Sequence, residues 1–390
     1  MQIPVRATYM RGGTSKGVFF LSDDLPKDPV IRDQVLLRVI GSPDPYGQHI
    51  DGMGAATSST SKVVIISRSD RDDCDVNYLF GQVSIGKPMI DWSGNCGNLT
   101  AAVGPFAIAR GLVDAGSGSE VTVRIWQANI QKRILAHIPL DRGQVVETGS
   151  FELDGVPFPA AEIRIEFLDP GASDDETGLG MFPTGNLTDE LEVPGVGKLL
   201  TTMIVAGNPA VFVHAQALGL TGKELQSDVN SNHELLERLE WIRACAAVRM
   251  GLGTTPQEVS QYRQHTPKLA FFAKPETYIA SDGKSVPAQS IDVLARILSM
   301  GKLHHAMTGT GAVGIAAAAA IEGTVVSSIL GKPMSDITFG HPSGVLRIGA
   351  QVRIDEQGQT VVDCVKVSRS ARRLMDGQVF VPESCFRTIT

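Results

Sequence analysis

Three short strings occur twice in this chain, in the same order. Arg11-Gly12-Gly13-Thr14-Ser15-Lys16-Gly17, running into Val18-Phe19-Phe20, resembles Ala206-Gly207-Asn208-Pro209 running into Val211-Phe212-Val213. Thr60-Ser61-Lys62 before an apolar run at 63–66 resembles Thr266-Pro267-Lys268 before residues 269–272. Asn95-Cys96-Gly97-Asn98 opens a long apolar run, and Met307-Thr308-Gly309-Thr310-Gly311 opens another at 312–330. The spacings agree roughly: Gly13 to Lys62 is 49 positions against 61 from Gly207 to Lys268, and Lys62 to Cys96 is 34 against 40 from Lys268 to Thr308. Self-similarity in a fixed order predicts two copies of one structural unit; unrelated glycine loops are the competing explanation. The boundary is placed within residues 169–189, where Asp174-Asp175-Glu176 and several Gly and Pro residues make a linker-like stretch. The reading is a first domain over 1–185 and a second over 186–390, with a C-terminal strand crossing back to the first.

Composition narrows the classes. At 390 residues the chain is long enough for sizeable cores, and 43% hydrophobic with 20% charged residues fits a globular protein. A net charge of −7 without a basic stripe argues against nucleic acid as a partner. The five cysteines, Cys74, Cys96, Cys245, Cys364 and Cys385, are scattered and lack a C-x-x-C pair, which argues against a disulfide framework or zinc site and for a reducing compartment. The first nine residues hold no signal-peptide core. Residues 312–330 are apolar, yet Glu322 and the many alanines read as a helix buried in protein rather than a membrane span. The expectation is a cytoplasmic, enzyme-sized protein.

Segments rich in Val, Ile, Phe and Thr predict strands at 6–10, 17–21, 62–67, 76–83, 121–128, 133–138 and 163–167. The pair 121–128 and 133–138 is joined at Asn129 as in a hairpin, so sequential antiparallel strands are favoured over βαβ alternation. Residues 198–206 read as the first strand of the second copy. A helix over 231–250 starts with Ser231 and Glu234 in capping-box register and carries Leu235, Leu239, Ile242 and Ala246 on one face. Residues 290–300 read as a second amphipathic helix. The runs at about 97–113 and 311–330 are apolar all round, which predicts central helices wrapped by sheet, the first kinked or cut short at Pro105. The fold class is α+β: two pseudo-repeated domains, each a β-roll or barrel around a central helix.

Cys96 is the thiol with a chemical reading. It stands where a strand hands over to a helix, beside the positive end of a helix dipole, where a thiolate is favoured. Gly97 lets a ligand approach the backbone, and first-turn N–H groups at Gly97 and Asn98 bind carboxylates. Lys62 follows seven small residues, 55–61, including Ser59, Thr60 and Ser61. It reads either as a surface lysine at a strand start or as a desolvated base of lowered pKa. The Arg11 to Ser15 string, with Gly12, Gly13 and Thr14, reads as a simple turn or as a carboxylate cradle; its glycine spacing is not a Walker A loop. Gly309-x-Gly311-x-x-Gly314 lacks the strand and acid of a dinucleotide fingerprint. His304-His305 are adjacent, so they are expected to point apart, and no Asp, Glu or Cys lies at ligand spacing, which favours structural or substrate-facing roles over a metal site. His341-Pro342-Ser343-Gly344 reads as a rigid turn or a site lining.

These pieces resemble the diaminopimelate epimerase-like fold, and the strings at 10–20, 40–46, 51–62, 91–104, 299–306 and 339–344 resemble the PrpF family of 2-methylaconitate cis–trans isomerases. The resemblance implies a site in a cleft between two similar domains. It also implies a proton-transfer pair at Lys62 and Cys96, base and acid in either order, without a metal or organic cofactor. Thr308 stands where the epimerase pattern has its second cysteine, which disfavours two-base racemisation and leaves an allylic proton shift intact. Implied substrate-binding residues are Arg11, Gly12, Gly13, Thr14, Ser15, Ser59, Thr60, Ser61, Asn95, Gly97, Asn98, Lys268, Met307, Thr308, Gly309, Thr310, His341 and Ser343. The implied substrate is a tricarboxylate of the methylcitrate route of propionate degradation, 2-methylaconitate or aconitate. The implied partners are an aconitase-like methylcitrate dehydratase and further copies of the chain. Two alternatives stay open: a tautomerase of 4-oxalomesaconate or a similar acid, and a non-catalytic accessory of the dehydratase.

Overall fold

The structure is a computed structural model that describes residues 1–171, 180–356, 358 and 360–387. The Asp174-Asp175-Glu176 linker signal lies outside the described residues. The chain divides into two compact units, residues 1–165 with 368–390, and residues 166–367.

In the first unit, Gln2–Gly12 and Ser15–Leu21 form an antiparallel hairpin, and Ala371–Pro382 pairs along the other edge of Gln2–Gly12. Ser15–Leu21 is parallel to Lys62–Arg68, which is antiparallel to Val76–Val83. Val76–Val83 is in turn parallel to Glu120–Gln127, which turns back antiparallel into Lys132–Asp141. The second unit repeats this order of relations. Gly197–Ala206 and Asn208–His214 are antiparallel, the latter is parallel to Lys268–Ala273, and that strand is antiparallel to Val293–Ser299. Val293–Ser299 is then parallel to Asp336–His341, which is antiparallel to Gly344–Ile354. The duplication read from three short strings is therefore a duplication of topology.

In each unit the strands pack on one helix that is buried over most or all of its length. Thr100–Ala109 packs on Gln2–Gly12, Lys132–Asp141 and Ala371–Pro382. Gly104 lets it approach so closely that a Cβ there would lie 2.6 Å from Ile138. In the second unit all twelve residues of Gly309–Ala320 are buried. An all-apolar helix is stable only where such surroundings exist, since it has no face for water. The opposite faces of the sheets are covered by amphipathic helices. Pro29–Ile40 lays Val35, Leu36, Val39 and Ile40 on Val18, Phe20, Val63 and Ile65. His233–Arg249 lays Leu235, Leu239, Ile242 and Ala246 on Met203, Val211, Leu269 and Phe271.

Several sequence expectations are corrected. The first central helix is Thr100–Ala109, not 97–113: it closes with Leu112 N–H on the Ala107 carbonyl and Gly111 in the left-handed region, and Pro105 stands inside it. The 311–330 run is two helices, Gly309–Ala320 and Val325–Leu330. Gly323 turns the chain, and Thr324 caps the second helix through Ser327 N–H while its hydroxyl donates to the Ala318 carbonyl. His233–Arg249 is capped by Asn232, whose side chain accepts from Leu235 N–H; Ser231 instead donates to the Ser227 carbonyl. Residues 290–300 contain the strand Val293–Ser299, buried along its whole length. A strand paired on both edges and covered on both faces shows no period of two, so its pattern passes for a helix.

Candidate active site

Lys62 opens the strand Lys62–Arg68 and is 5% exposed, which removes the surface-lysine reading. Its amine hydrogen-bonds with the Cys96 side chain, donates to Gln82 Oε1 at 2.7 Å and lies 4.8 Å from the Phe80 ring centroid. Burial lowers the Lys62 pKa because an ammonium loses its water; the negative charge of Cys96 opposes that shift. A neutral amine beside a thiol and an ammonium beside a thiolate hold the same number of protons, so the pair exchanges a proton without changing its charge.

Cys96 stands ahead of the central helix, as the sequence predicts, but the helix begins only at Thr100, so that a turn separates the two. Its carbonyl accepts from Thr100 N–H, Thr100 Oγ1 and Tyr78 O–H, each at 3.1 Å. Those three bonds hold the thiol's backbone, and the following tighter bonds of Ala101 N–H to the Asn98 carbonyl and Ala102 N–H to the Leu99 carbonyl leave Gly97 and Asn98 in a turn ahead of the helix. The Tyr78 hydroxyl is buried, and burial pushes its pKa well above the ordinary phenol value, so it remains a donor.

The Gly12-Gly13-Thr14 turn packs directly on this one. A Cβ at Gly12 would meet the Asn98 carbonyl at 2.7 Å; at Gly13, whose φ is +49°, it would meet Asn98 Oδ1 at 2.6 Å. Only glycine brings the two backbones this close. The Asn98 amide donates to Thr14 Oγ1 at 3.0 Å and accepts from Arg369 Nε at 3.1 Å. Burial lowers the Arg369 guanidinium pKa to about 10. Arg11, offered from sequence as a carboxylate ligand, has its Nη1 on the Gly13 and Ser370 carbonyls, where it fastens the turn. Ser15 and Ser59 are buried beside it, and the Ser59 carbonyl accepts from Lys16 N–H at 2.9 Å. Thr60 Oγ1 pairs with Thr57 Oγ1 at 2.8 Å, Ser61 is fully buried with its Oγ 3.3 Å from His49 Nδ1, and Asn95 is buried as well.

The second unit builds an analogous group. Lys268, 2% exposed, donates to Ser299 Oγ at 2.9 Å and lies 3.2 Å from His265 Nδ1. Asn208, beside the left-handed Gly207, donates to Thr310 Oγ1 at 3.0 Å. Thr308 caps its helix, accepting from Gly311 N–H at 3.1 Å, with Met307 buried before it and Gly309 as the first helical residue. His341 and Ser343 belong to a second group: Ser343 donates to the His305 carbonyl at 2.5 Å, and Tyr278 donates to the His341 carbonyl at 2.8 Å. His304 and His305 do not point apart; their rings stack 4.6 Å apart at 24°. Among the described residues no three His, Cys, Asp or Glu side chains gather as metal ligands.

Sequence reasoning missed Gln82, Tyr78, Arg369, His265 and Ser299. The first two sit in Val76–Val83, directly across the ladder from the Lys62 strand, a position that follows from register and not from any motif. Arg369 comes from the far end of the chain.

A sequence model of the family described as PrpF protein matches residues 2–382. The chain is 59% identical to a 2-methyl-aconitate isomerase of Shewanella oneidensis, over 98% of each chain, and 56% identical to one of Cupriavidus necator, over 99% of each. A 4-oxalomesaconate tautomerase of Pseudomonas putida is 40% identical over 97% of each. Among solved structures, a methylitaconate-delta-isomerase superposes with a TM-score of 0.76 at 35% identity, covering 100% of this chain and 98% of that one. A probable proline racemase from Agrobacterium radiobacter superposes at 0.54 and 11% identity over 96% and 92%, a likeness of fold. With a match over nearly its whole length, two topologically repeated units, and identities well above half to two full-length relatives, the chain belongs to the PrpF family.

Proposed function

We infer that this protein is an isomerase that interconverts the cis and trans forms of 2-methylaconitate, with aconitate as a related substrate. The observation that carries the reading is the buried Lys62–Cys96 pair, a proton donor and acceptor in hydrogen-bonding contact. Full-length identity of 56–59% to 2-methyl-aconitate isomerases, against 40% to the oxalomesaconate tautomerase, supports the substrate.

The chemistry follows from carbon acidity. The methylene of 2-methylaconitate lies between a carboxylate and a C=C bond, so its C–H bond breaks to leave a dienolate. Lys62 in its amine form takes this proton. In the dienolate the former double bond loses order, and rotation about it exchanges the two geometries. Cys96 returns a proton to the same carbon, and transfer from the Lys62 ammonium to the Cys96 thiolate restores the pair. Positioned general acid–base groups of this kind contribute about 10²- to 10⁴-fold. The Gly12-Gly13-Thr14 and Cys96-Gly97-Asn98 turns, with Ser15 and Ser59, are the first unit's proposed carboxylate-holding groups. Lys268, Thr308, Gly309 and Thr310 are those of the second. Anion donors fixed before the substrate arrives stabilise charge without reorganisation.

The proposed setting is the methylcitrate route of propionate degradation, beside an aconitase-like methylcitrate dehydratase. The five free cysteines fit a reducing, cytoplasmic location. Proton NMR of 2-methylaconitate and trans-aconitate in D₂O tests the reading. Isomerisation with deuterium uptake is expected from the wild type and is expected to be lost in Lys62→Ala and Cys96→Ala. Turnover that survives both changes sinks the site; turnover of oxalomesaconate alone moves the substrate to the tautomerase reading.

A further inference from the structure

The Lys62 amine is aimed by a residue that the chemistry above does not use. Lys62 and Gln82 face each other in the ladder between Lys62–Arg68 and Val76–Val83. Gln82 is fully buried and binds at both ends of its amide: Oε1 accepts from Lys62 Nζ at 2.7 Å, and Nε2 donates to the Ser61 carbonyl at 3.0 Å. The orientation of the amide is forced, because a carbonyl can only accept and so must face the NH₂ group, leaving the oxygen for the lysine. Ser61 is itself held, its carbonyl also taking Val83 N–H and its hydroxyl lying against His49 Nδ1. His49 Nδ1 further accepts from Ala56 N–H, which closes the 56–61 loop on the chain. The titratable groups around the amine are Cys96 from the turn before the central helix, Tyr78 through the Cys96 carbonyl, His49 through Ser61, and buried Asp91, which faces Gln82 from the short strand Ile90–Asp91. The oxygen that receives the amine is the neutral amide oxygen of Gln82.

The second unit repeats the device. Continuing the register of Lys268–Ala273 with Val293–Ser299 sets Lys268 opposite Ser299, and a neutral oxygen again receives the lysine amine. A carboxylate in either place would hold its lysine as a permanently charged ion pair.

We propose that Gln82 is a positioning residue for Lys62: it fixes the direction of the amine toward Cys96 through a neutral hydrogen bond and so leaves the lysine able to shed its proton. The proposal rests on Lys62 being one of the proton-transferring groups. Two near-isosteric variants separate its two parts. Gln82→Met removes the acceptor and frees the amine; kcat for deuterium uptake into 2-methylaconitate is expected to fall about 10- to 100-fold, the cost of a misplaced reacting group, with KM within about threefold. Gln82→Glu places a carboxylate on the amine; the acidic limb of the kcat/KM profile is expected to move up by about one pH unit or more. The Nζ resonance of ¹⁵N-lysine-labelled protein, assigned by its loss in Lys62→Met, reads the same upward titration without substrate.

A wild type that takes up no label overturns the functional reading, while the resonance still judges the role of Gln82. A wild type that turns over, with both variants matching it in kcat, pH profile and resonance, overturns the proposal. A rise in KM at unchanged kcat also overturns it, since Gln82 would then be binding substrate. The variants disturb the fold differently, one removing a polar partner and one adding charge, so the one that folds decides.

Discussion

The two units share a frame and differ in what the frame holds. Each opens a strand with a buried lysine, hands that lysine a neutral oxygen from the neighbouring antiparallel strand, and packs a glycine turn on the start of a buried helix. In the first unit the residue ahead of the helix is a thiol in contact with the lysine. In the second unit the residue at the corresponding place is Thr308, whose hydroxyl accepts from Gly311 N–H, and the lysine's neighbour is His265. The frame is thus a way of burying a lysine beside a helix start, and in the proposed mechanism it serves proton transfer only where a second group of suitable acidity completes it. A second unit without that group suits a lysine that holds an anion.

The comparison breaks most visibly in the lysines. Lys62→Ala is expected to lower the rate of deuterium uptake by about 10²- to 10⁴-fold, the usual contribution of general acid–base groups. Lys268→Ala, at a proposed carboxylate-holding group, is expected to act mainly on KM, as the loss of binding energy shared by ground and transition states does. Steady-state assays of both variants check this, and an equal loss of kcat in the two would show that both units do chemistry. The glycines come next. Gly207→Ala places a side chain at φ +74° within 3.1 Å of Val313, and left-handed strain of this kind costs about 1–3 kcal/mol. Gly13→Ala carries the same strain and also drives a Cβ into the Asn98 amide, which Thr14 and Arg369 hold in place. Denaturant unfolding is expected to rank Gly13→Ala as the more destabilising, with activity lost alongside stability.

The duplication was legible because glycine turns, a lysine at a strand start and an apolar helix each leave a local trace. The strands at 62–67 and 76–83 were legible as well, since β-branched runs bounded by turns read plainly. What failed to show was whatever depended on neighbours distant in sequence. Val293–Ser299 is strand because sheet lies on both of its edges, and nothing in its own period says so. Gln82 and Arg369 reach the Lys62 and Asn98 groups through ladder register and through a position just ahead of the C-terminal strand Ala371–Pro382, neither of which is a motif. Helix ends moved by several residues because capping is settled by particular side-chain bonds, as at Thr324 and Asn232.

A smaller effect sharpens the first unit's half of the comparison. The folded-state pKa of Lys62 lies below its ordinary value of 10.5 because the charged form loses its water. Between the two values the unfolded chain binds more protons than the folded one, so this group's contribution to stability rises with pH there and is most unfavourable below the folded value. Lys62→Met is therefore expected to be more stable than the wild type at neutral pH, with the margin shrinking as pH climbs toward 10.5. Urea unfolding of both proteins from pH 6 upward measures it. A constant margin would mean that Lys62 gains from shape alone, and a wild type more stable at neutral pH would mean that the Cys96 charge outweighs burial.

The least effect is expected at Thr308, and it decides what the second unit has become. If Thr308 is now a helix cap, Thr308→Cys costs about 1 kcal/mol in thermal or denaturant unfolding, the usual loss when a hydroxyl cap is removed, since a thiol is a poor acceptor. Since Thr308 is also one of the second unit's proposed carboxylate-holding groups, the change should raise KM for 2-methylaconitate without speeding deuterium uptake. If the position were instead a thiol site awaiting its thiol, the variant would keep its stability and exchange label faster, and Lys268 would then carry proton transfer as Lys62 does. The capping bond to Gly311 favours the first outcome. A helix with no polar face draws its start from a few well-placed side chains, and Thr308 is one of them.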